Sequence, residues 1–190
     1  MLDASPAAPV LPRARGVARV VAKRGAGGKS TLADLHQAGS SKLLFPRPRA
    51  QGLEAVSINT AGGITGGDRF ILEGTAGPGA ALCLTTQAAE RVYRARGTSE
   101  GRQSTRLRAQ AGAAMAWLPQ ETILFDGGRL IRSLHIELAA DAQLLACEPL
   151  IFGRQAMGET LTAGHFEDRV DILRDGQPIY ADRMRQSGEI

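Results

Sequence analysis

Residues 58–69 read Ile58-Asn59-Thr60-Ala61-Gly62-Gly63-Ile64-Thr65-Gly66-Gly67-Asp68-Arg69, with four glycines within six residues. Glycines at this spacing let a chain turn with positive φ and let two backbones approach closely. A phosphate-binding loop would lead into a helix, whose first amides hold the anion. Here the next residues, 70–74 (Phe-Ile-Leu-Glu-Gly), have the composition of a strand. The stretch therefore predicts a tight double turn between two strands.

Beyond this turn the chain contains a repeated pattern of two strands joined by a short turn. An alternating strand at 70–74, 105–109 or 134–138 is followed by a similar apolar segment at 79–87, 112–120 or 141–149. The apolar segments lack polar alternation, which predicts strands covered on both faces. A period of about thirty residues built from strands indicates stacked β layers. The predicted fold is mainly β, with β-helix-like strand–turn–strand layers and little helix.

If the three apolar segments stack in register, their ends also align. Thr86, Pro119 and Glu148 then share one position, and Gln87, Gln120 and Pro149 share the next. The alignment would place a line of polar side chains along one edge of the layers. Ordinary solvation of strand ends explains the same pattern, so both interpretations stay open.

Residues 24–31 (Arg-Gly-Ala-Gly-Gly-Lys-Ser-Thr) are similar to a nucleotide-binding loop, but Lys23 stands where that motif needs its first glycine. The segment instead predicts a hairpin turn between strands at 17–23 and 30–36. A second hairpin is predicted around Asp175-Gly176, a typical two-residue turn.

The 190 residues, 43% of them hydrophobic, are enough for one core in one domain. Residues 1–15 are rich in Ala and Pro, which predicts a flexible tail before a single domain at 16–190. Cys83 and Cys147 form no CxxC pair, and no histidine has metal-ligand spacing. No apolar run reaches membrane-spanning length and no leader pattern is present, so the expected location is the cytoplasm.

Five blocks of the sequence together resemble the UreD (UreH) family of urease accessory proteins. They are GGITGGD at 62–68, LTTQAAERVYR at 84–94, LPQE at 118–121, Glu148-Pro149, and GRQAMGE at 153–159. The resemblance runs from about residue 16 to the C-terminus. Members of the family usually continue past the hairpin at 175–176, so the resemblance implies a chain that is shortened and incomplete at its C-terminus.

The resemblance implies a urease maturation factor without enzymatic activity. Such a scaffold or chaperone binds the urease apoprotein subunits and UreF, which carries UreG, and helps to deliver nickel. No cofactor would be tightly bound, and nickel would pass in transit along an internal route. Carboxylate and hydroxyl oxygens suit transient binding of a divalent ion. The candidates for this route are Asp68, Thr86, Glu148 and Glu159.

The remaining polar, aromatic and glycine positions of the blocks are predicted to bind partners or to build the motif. They are Gly62, Gly63, Gly66, Gly67, Thr85, Gln87, Arg91, Tyr93, Gln120 and Arg154.

Two other functions stay open as alternatives. One is an enzyme with an unrecognised site at the turn of residues 62–68. The other is a basic nucleic-acid-binding β module, suggested by the net charge of +4. Aromatic residues make up only 4% of the chain, and bases commonly stack on such residues. The partners that we expect therefore exclude nucleic acid and membranes.

Overall fold

The computed structural model describes residues 12–47, 51–154 and 157–189, and more than half of them lie in β-strands. Within these ranges the helical content is confined to 3₁₀ geometry, at Ala26–Gly28 and at Met157. The predicted mainly-β, stacked fold is confirmed. The strands are β1 (Arg15–Arg24), β2 (Ser30–Gly39), β3 (Ser41–Leu44), β4 (Leu53–Asn59), β5 (Arg69–Ala76), β6 (Ala81–Thr86), β7 (Glu90–Val92), β8 (Gly101–Ala109), β9 (Ala114–Trp117), β10 (Thr122–Leu124), β11 (Arg129–Leu138), β12 (Gln143–Ala146), β13 (Leu150–Phe152), β14 (Ala163–Arg174) and β15 (Gln177–Glu189).

Three sheets enclose the interior, and each coil of the chain gives one strand to each sheet. Sheet A has the order β15-β14-β11-β8-β5-β1-β2, sheet B has β12-β9-β6-β4-β3, and sheet C has β13-β10-β7. The coils are β5–β7, β8–β10 and β11–β13, and equivalent strands pair in parallel. The fold is a β-solenoid with three coils in register.

The repeating unit contains the predicted strand–turn–strand pair and a third, short strand that was not predicted. The missed strands β7, β10 and β13 are three residues long. Three residues are too few to show the alternation by which a strand is recognised in a sequence. These short strands form sheet C, the third side of the solenoid.

The double turn predicted at residues 58–69 joins β4 to β5, and both predicted hairpins are confirmed. β1 and β2 pair antiparallel on either side of the segment that is similar to a nucleotide-binding loop. β14 and β15 pair antiparallel across Asp175 and Gly176, which both have positive φ. Positive φ at both central residues matches the right-handed twist of the strands. Each hairpin attaches to the coils through one parallel strand, β1 on β5 and β14 on β11.

Residues 1–11 of the predicted tail lie outside the described residues. The tail was predicted to extend to residue 15, but its last residues are part of the fold. The amide of Ala14 donates to Asp68, and the carbonyl of Ala14 accepts from the amide of Arg69. β1 begins at the next residue, Arg15.

The second strands of the coils are covered on one face only, so the predicted coverage of both faces was wrong. In β6 and β9, Leu82, Leu84, Met115 and Trp117 are buried, while the residues between them are half-buried. In β12, Leu145 is 61% exposed. Small residues at the outward positions of β6 and β9, and Leu145 in β12, made the segments look apolar on both faces.

The buried apolar side chains form two separate clusters. The larger lies between sheets A and B and includes Leu84, Trp117 and Leu134. The smaller lies against sheet C and includes Leu124, Leu130 and Phe166. The space between the two clusters holds the polar residues described next.

Candidate functional site: a polar layer inside the solenoid

A layer of polar side chains crosses the interior between the two apolar clusters. On sheet A the inward-facing Gln103, Arg132 and Asp168 are cross-strand neighbours on β8, β11 and β14. Leu130 and Leu134 flank Arg132 at the adjacent inward positions of β11, and they belong to different clusters. The strand alternation therefore fixes the polar layer between two apolar ones.

The other two sheets complete this layer. On sheet C, Glu90 of β7 and Thr122 of β10 are cross-strand neighbours. Sheet B contributes Trp117 and Thr86, the last residues of β9 and β6, and Glu148 follows the end of β12. The polar side chains thus come from all three sides of the solenoid and from all three coils.

A cavity of about 280 Å³ occupies the layer at the level of the first two coils. Its polar lining includes Asn59, Thr86, Glu90 and Gln103, and Trp117 forms part of its wall. Gln103 Oε1 is a buried oxygen that accepts no hydrogen bond from the described residues. Because buried polar atoms normally have a partner, this oxygen marks the cavity as a place for a polar occupant such as water.

Glu90 is the ionisable group of this cavity. Burial raises its pKa to about 7, although a hydrogen bond from Asn59 acts in the opposite direction. Asn59 Nδ2 lies 3.1 and 3.2 Å from the two carboxylate oxygens. The carboxyl group of Glu90 therefore gains and loses its proton near neutral pH.

A second cavity, of about 390 Å³, lies at the third coil and is lined by Arg132, Glu148 and Asp168, among others. Arg132 is 5% exposed. Its guanidinium binds Asp168 through two hydrogen bonds, of 3.0 and 2.5 Å, and lies 3.6 Å from Glu148 Oε2. It also donates to Thr122 Oγ1 at 3.3 Å and lies 5.7 Å from the centre of the Phe166 ring.

The neighbouring charges and burial shift the pKa values of Arg132 and Glu148. Burial alone would lower the pKa of Arg132, but the hydrogen bond to Asp168 and the charges of Glu148 and Asp168 raise it, so Arg132 is a cation. Burial raises the pKa of Glu148, against the opposing effects of Arg132 and of the Trp117 hydrogen bond. One guanidinium thus faces two carboxyl groups, and the second cavity carries a negative charge when both are ionised.

The two cavities adjoin each other. Trp117, in the wall of the first, donates its indole N–H to Glu148 Oε1 of the second at 2.9 Å. Gln103 of the first is the cross-strand neighbour of Arg132 of the second. The polar layer is therefore continuous from the first coil to the third through these contacts.

Of the four residues predicted for a nickel route, the structure places two in this layer. Thr86 lines the first cavity and Glu148 the second. Thr86 Oγ1 also accepts from the amide of Gln120 at 2.9 Å, so the segment ends predicted to align do meet. Neither Asp68 nor Glu159 lines either cavity.

Asp68 holds the glycine-rich loop together. It is 5% exposed, and its two oxygens accept the amides of Ala14 and Thr65 at 2.8 and 2.9 Å. The two bonds fix the backbone at Thr65, which precedes β5, and at Ala14, which precedes β1. The carboxylate of Asp68 thus closes the turn and joins it to Ala14, the residue before β1.

Glu159 lies at a corner of the solenoid, with other motif residues stacked beneath it. Its carboxylate binds the guanidinium of Arg154 at 2.9 and 3.0 Å, and this bond lowers its pKa. Arg154 lies 4.2 Å from the centre of the Phe125 ring, which packs edge-on against Tyr93 at 5.1 Å. Tyr93 Oη in turn donates to the carbonyl of Gly62 at 3.3 Å.

The glycines of residues 62–67 allow the next coil to pack against this loop. A Cβ on Gly63 would lie 2.4 Å from the Tyr93 ring and 2.7 Å from the carbonyl oxygen of Arg91. A Cβ on Gly66 would lie 2.4 Å from the carbonyl oxygen of Ser99. Backbone atoms cannot yield to such contacts, so these two positions require glycine.

The remaining predicted motif residues lie at the cavity or between coils. Gln87 and Arg91 are part of the lining of the first cavity, as is Gly62. Thr85 Oγ1 donates to the carbonyl of Leu118 at 2.7 Å and so connects β6 to the segment after β9.

Sequence reasoning missed three members of the polar layer, Gln103, Arg132 and Asp168, and did not include Glu90 among the candidates for the nickel route. A signal for Arg132 was present, because it falls on the same face of β11 as Leu130, Leu134 and Ile136. A charged residue in an otherwise buried row indicates a partner in the interior. The partner could not be identified in this way, since Asp168 lies 36 residues further along the chain.

Within residues 12–47, 51–154 and 157–189, no three His, Cys, Asp or Glu side chains are grouped so that they could hold a metal ion. The same ranges contain no helix with the length and apolar character needed to span a membrane.

The fold and its interior define a three-sided β-solenoid whose coils enclose a polar layer. The sequence model of the UreD urease accessory proteins matches residues 14–190. The chain belongs to this UreD family.

Its relatives carry the same family name. A urease accessory protein UreD of Ruegeria sp. (strain TM1040) is 54% identical over 178 residues, which are 94% of this chain and 60% of that protein. The UreD of Roseobacter denitrificans is 50% identical over 94% of this chain and 65% of its own length. The UreD of Chelativorans sp. (strain BNC1) is 47% identical over 98% of this chain and 66% of its own length. The chain thus spans somewhat less than two thirds of these relatives.

Proposed function

We propose that this chain is a urease maturation factor that acts as a scaffold rather than as an enzyme. In this role it binds the urease apoprotein and UreF, contacts UreG through UreF, and works in the cytoplasm. Nickel is its cargo, held in transit and not as a resident cofactor. Membership of the UreD family and relatives named as urease accessory proteins support the proposal.

The polar layer is the observation that favours an internal nickel route. Thr86 and Glu90 line one cavity, Glu148 and Asp168 line the adjoining one, and Trp117 connects the two. Their oxygen atoms bind a first-row divalent ion more weakly than thiolate or imidazole ligands do. Weak binding is what transit requires, because an ion that binds tightly is not released.

The carboxylates of the layer suit binding of a cation, and Arg132 acts as a barrier to its passage. Glu90 has a pKa of about 7, so a cation that binds beside it displaces a proton. Arg132 neutralises part of the charge of Glu148 and Asp168. A divalent ion in the second cavity competes with Arg132 for these carboxylates, and we propose that this competition limits passage between the cavities.

For Asp68 and Glu159 we propose a structural role instead of nickel binding. The two oxygens of Asp68 each accept a backbone amide, and Glu159 is paired with Arg154. Binding of a metal ion would compete with these bonds and would release the loops that they hold.

The test is co-expression of this chain with the urease subunits, UreF and UreG, followed by co-purification and metal analysis of the urease. Glu90→Gln and Glu148→Gln keep the side-chain shape and remove the charge. Glu137→Gln is the matched control, because Glu137 pairs with Arg108 on the outer face of sheet A.

We expect all three variants to form the same complexes, and the two interior variants to lower the nickel content and activity of urease. Glu137→Gln should leave both unchanged. Unchanged nickel with both interior variants would refute the route, and loss of complexes would instead indicate a docking role. Asp68→Asn should lower the yield of folded chain while the nickel content per complex stays the same.

A further inference from the structure

Three arginines form a row on the outer face of sheet A. Arg15, Arg69 and Arg102 are register partners on the neighbouring parallel strands β1, β5 and β8. All three side chains are exposed and point away from the interior, opposite to the inward-facing residues that follow them. Adjacent strands lie about 4.8 Å apart, so the row extends over roughly 10 Å.

The row differs from the other arginines on this face in having no acidic partner. Arg15, Arg69 and Arg102 make no side-chain hydrogen bond or ion pair with any residue in the described ranges. The other outward arginines of sheet A are each paired: Arg19 and Arg106 with Glu73, Arg108 with Glu137, Arg129 with Glu100, Arg169 and Arg183 with Asp171, and Arg185 with Glu167.

An unpaired row of like charges weakens the sheet that carries it. Like charges directly opposite each other on neighbouring strands repel. The N-terminal residues 1–11 hold one acidic residue, Asp3, and one carboxylate cannot neutralise three guanidinium groups. The repulsion is relieved when carboxylates from another molecule lie over the row.

We propose that this arginine row binds an acidic helix of a partner protein. Glutamates one and two turns apart on a helix lie about 5.4 and 11 Å from each other, close to the spacing of the row. Guanidinium groups bind carboxylates through two parallel hydrogen bonds. The half-buried Val17 and Ile71 lie beside the row on the same face and provide an apolar contact for the helix.

The surroundings of the row favour an acidic protein segment over nucleic acid. Glu73, Glu100 and Glu167 lie on the same face around the row, and they would repel a phosphate backbone that extended beyond it. The outward positions of β1, β5, β8 and β11 hold no Phe, Tyr or Trp on which a base could stack. A short helix with a few carboxylates fits within these limits.

The test uses the purified chain and a fluorescent alanine-rich helical peptide with three glutamates on one face, measured by anisotropy at low and high salt. The variant is Arg69→Glu with Arg102→Glu. The matched control is Arg108→Glu with Arg185→Glu, which changes the net charge equally on the same face outside the row. Circular dichroism checks that both variants are folded.

We expect the row variant to bind the peptide at least about tenfold more weakly, and the control to stay within about twofold of the wild type. A peptide with lysines in place of glutamates should bind the row variant better than it binds the wild type. The proposal is overturned if both variants lose affinity for the glutamate peptide equally, or if the wild type does not bind that peptide. It is also overturned if a short DNA duplex binds the wild type more tightly than the peptide does and the row variant abolishes this binding. These results do not depend on the nickel route, which the metal analysis tests separately.

Discussion

On strand β11 the two apolar clusters and the polar layer between them bury their side chains about equally but hold them by different forces. Leu130, Arg132 and Leu134 are successive inward residues of β11 and are 0%, 5% and 3% exposed. The leucines are stabilised by contact with other apolar side chains, which gains free energy in proportion to buried area. Arg132 is held by Asp168, Glu148 and Thr122, in fixed directions and at fixed distances.

This difference distinguishes the apolar residues that stabilise the fold from the polar residues that the fold encloses. Removing charges from water costs several kcal/mol per ion, and an ion pair recovers this cost only with favourable geometry. Well-packed leucines at these positions would give a core of equal or greater stability. The polar layer is thus the costly part of the interior, and its presence favours a role other than stability.

The largest effect is expected from Arg132→Ala. This change leaves the carboxyl groups of Glu148 and Asp168 buried without their cation, which destabilises a protein by about 3–5 kcal/mol. Urea denaturation gives the free energy of unfolding. Adding Asp168→Asn and Glu148→Gln should restore part of the loss, because the uncompensated charges are then removed. A loss below about 1 kcal/mol for Arg132→Ala would contradict the buried network.

A slightly smaller effect is expected from truncation of either apolar cluster. Leu84→Ala in the larger cluster and Leu130→Ala in the smaller should each cost about 2–5 kcal/mol through lost burial and a cavity. Because the polar layer separates the clusters, the double variant should be additive within about 0.5 kcal/mol. Strong coupling between the two changes would show that the clusters behave as one core.

The pH dependence of stability should report on Glu90. Its pKa rises from 4.5 to about 7 on folding, so between these values the folded chain keeps a proton that the unfolded chain has lost. The free energy of unfolding therefore falls as pH rises from about 5 to 8, by at most about 3 kcal/mol. Denaturant titrations across this range measure the slope, and Glu90→Gln should flatten it. An identical slope in the variant would show that groups other than Glu90 cause the pH dependence of the free energy of unfolding.

The smallest effect is expected for an arginine outside the interior. Arg108 pairs with Glu137 on the outer face of sheet A, where both side chains are about half exposed. Exposed ion pairs contribute about 0.2–1 kcal/mol, so Arg108→Ala should lower stability by less than about 1 kcal/mol. The same denaturation measurement compares it directly with Arg132→Ala. Equal losses would show that burial is not what distinguishes the two arginines.

The sequence predicted the parts of the fold that depend on local pattern. The double turn at residues 62–68, the two hairpins and the stacked β layers follow from turn residues and a period of about thirty residues. Strands β7, β10 and β13 were missed because three residues carry too little pattern. The outward faces of β6 and β9 were misjudged because small residues such as Cys83 and Ala116 are compatible with burial and with exposure.

The candidate site was predictable only in part, for a geometric reason. Register placed Thr86 and Glu148 at equivalent positions, and both line cavities of the polar layer. Asp68 was expected to point along a route, whereas the structure shows its carboxylate bound to two amides. Contacts such as Arg132–Asp168 join different coils and sheets, and no spacing along one strand encodes them.

The parallel, in-register pairing of β1, β5, β8, β11 and β14 has a consequence for synthesis on the ribosome. The strands β8, β11 and β14 each pair with a strand about thirty residues earlier, whereas β5 pairs with β1, 54 residues earlier. Each coil therefore depends little on residues further along the chain. The β1–β2 hairpin emerges first and offers an edge on which β5 can pair. Folding can therefore proceed vectorially during translation, with each coil added to a completed one. Arg132 leaves the ribosome before Glu148 and Asp168, so the polar layer closes last.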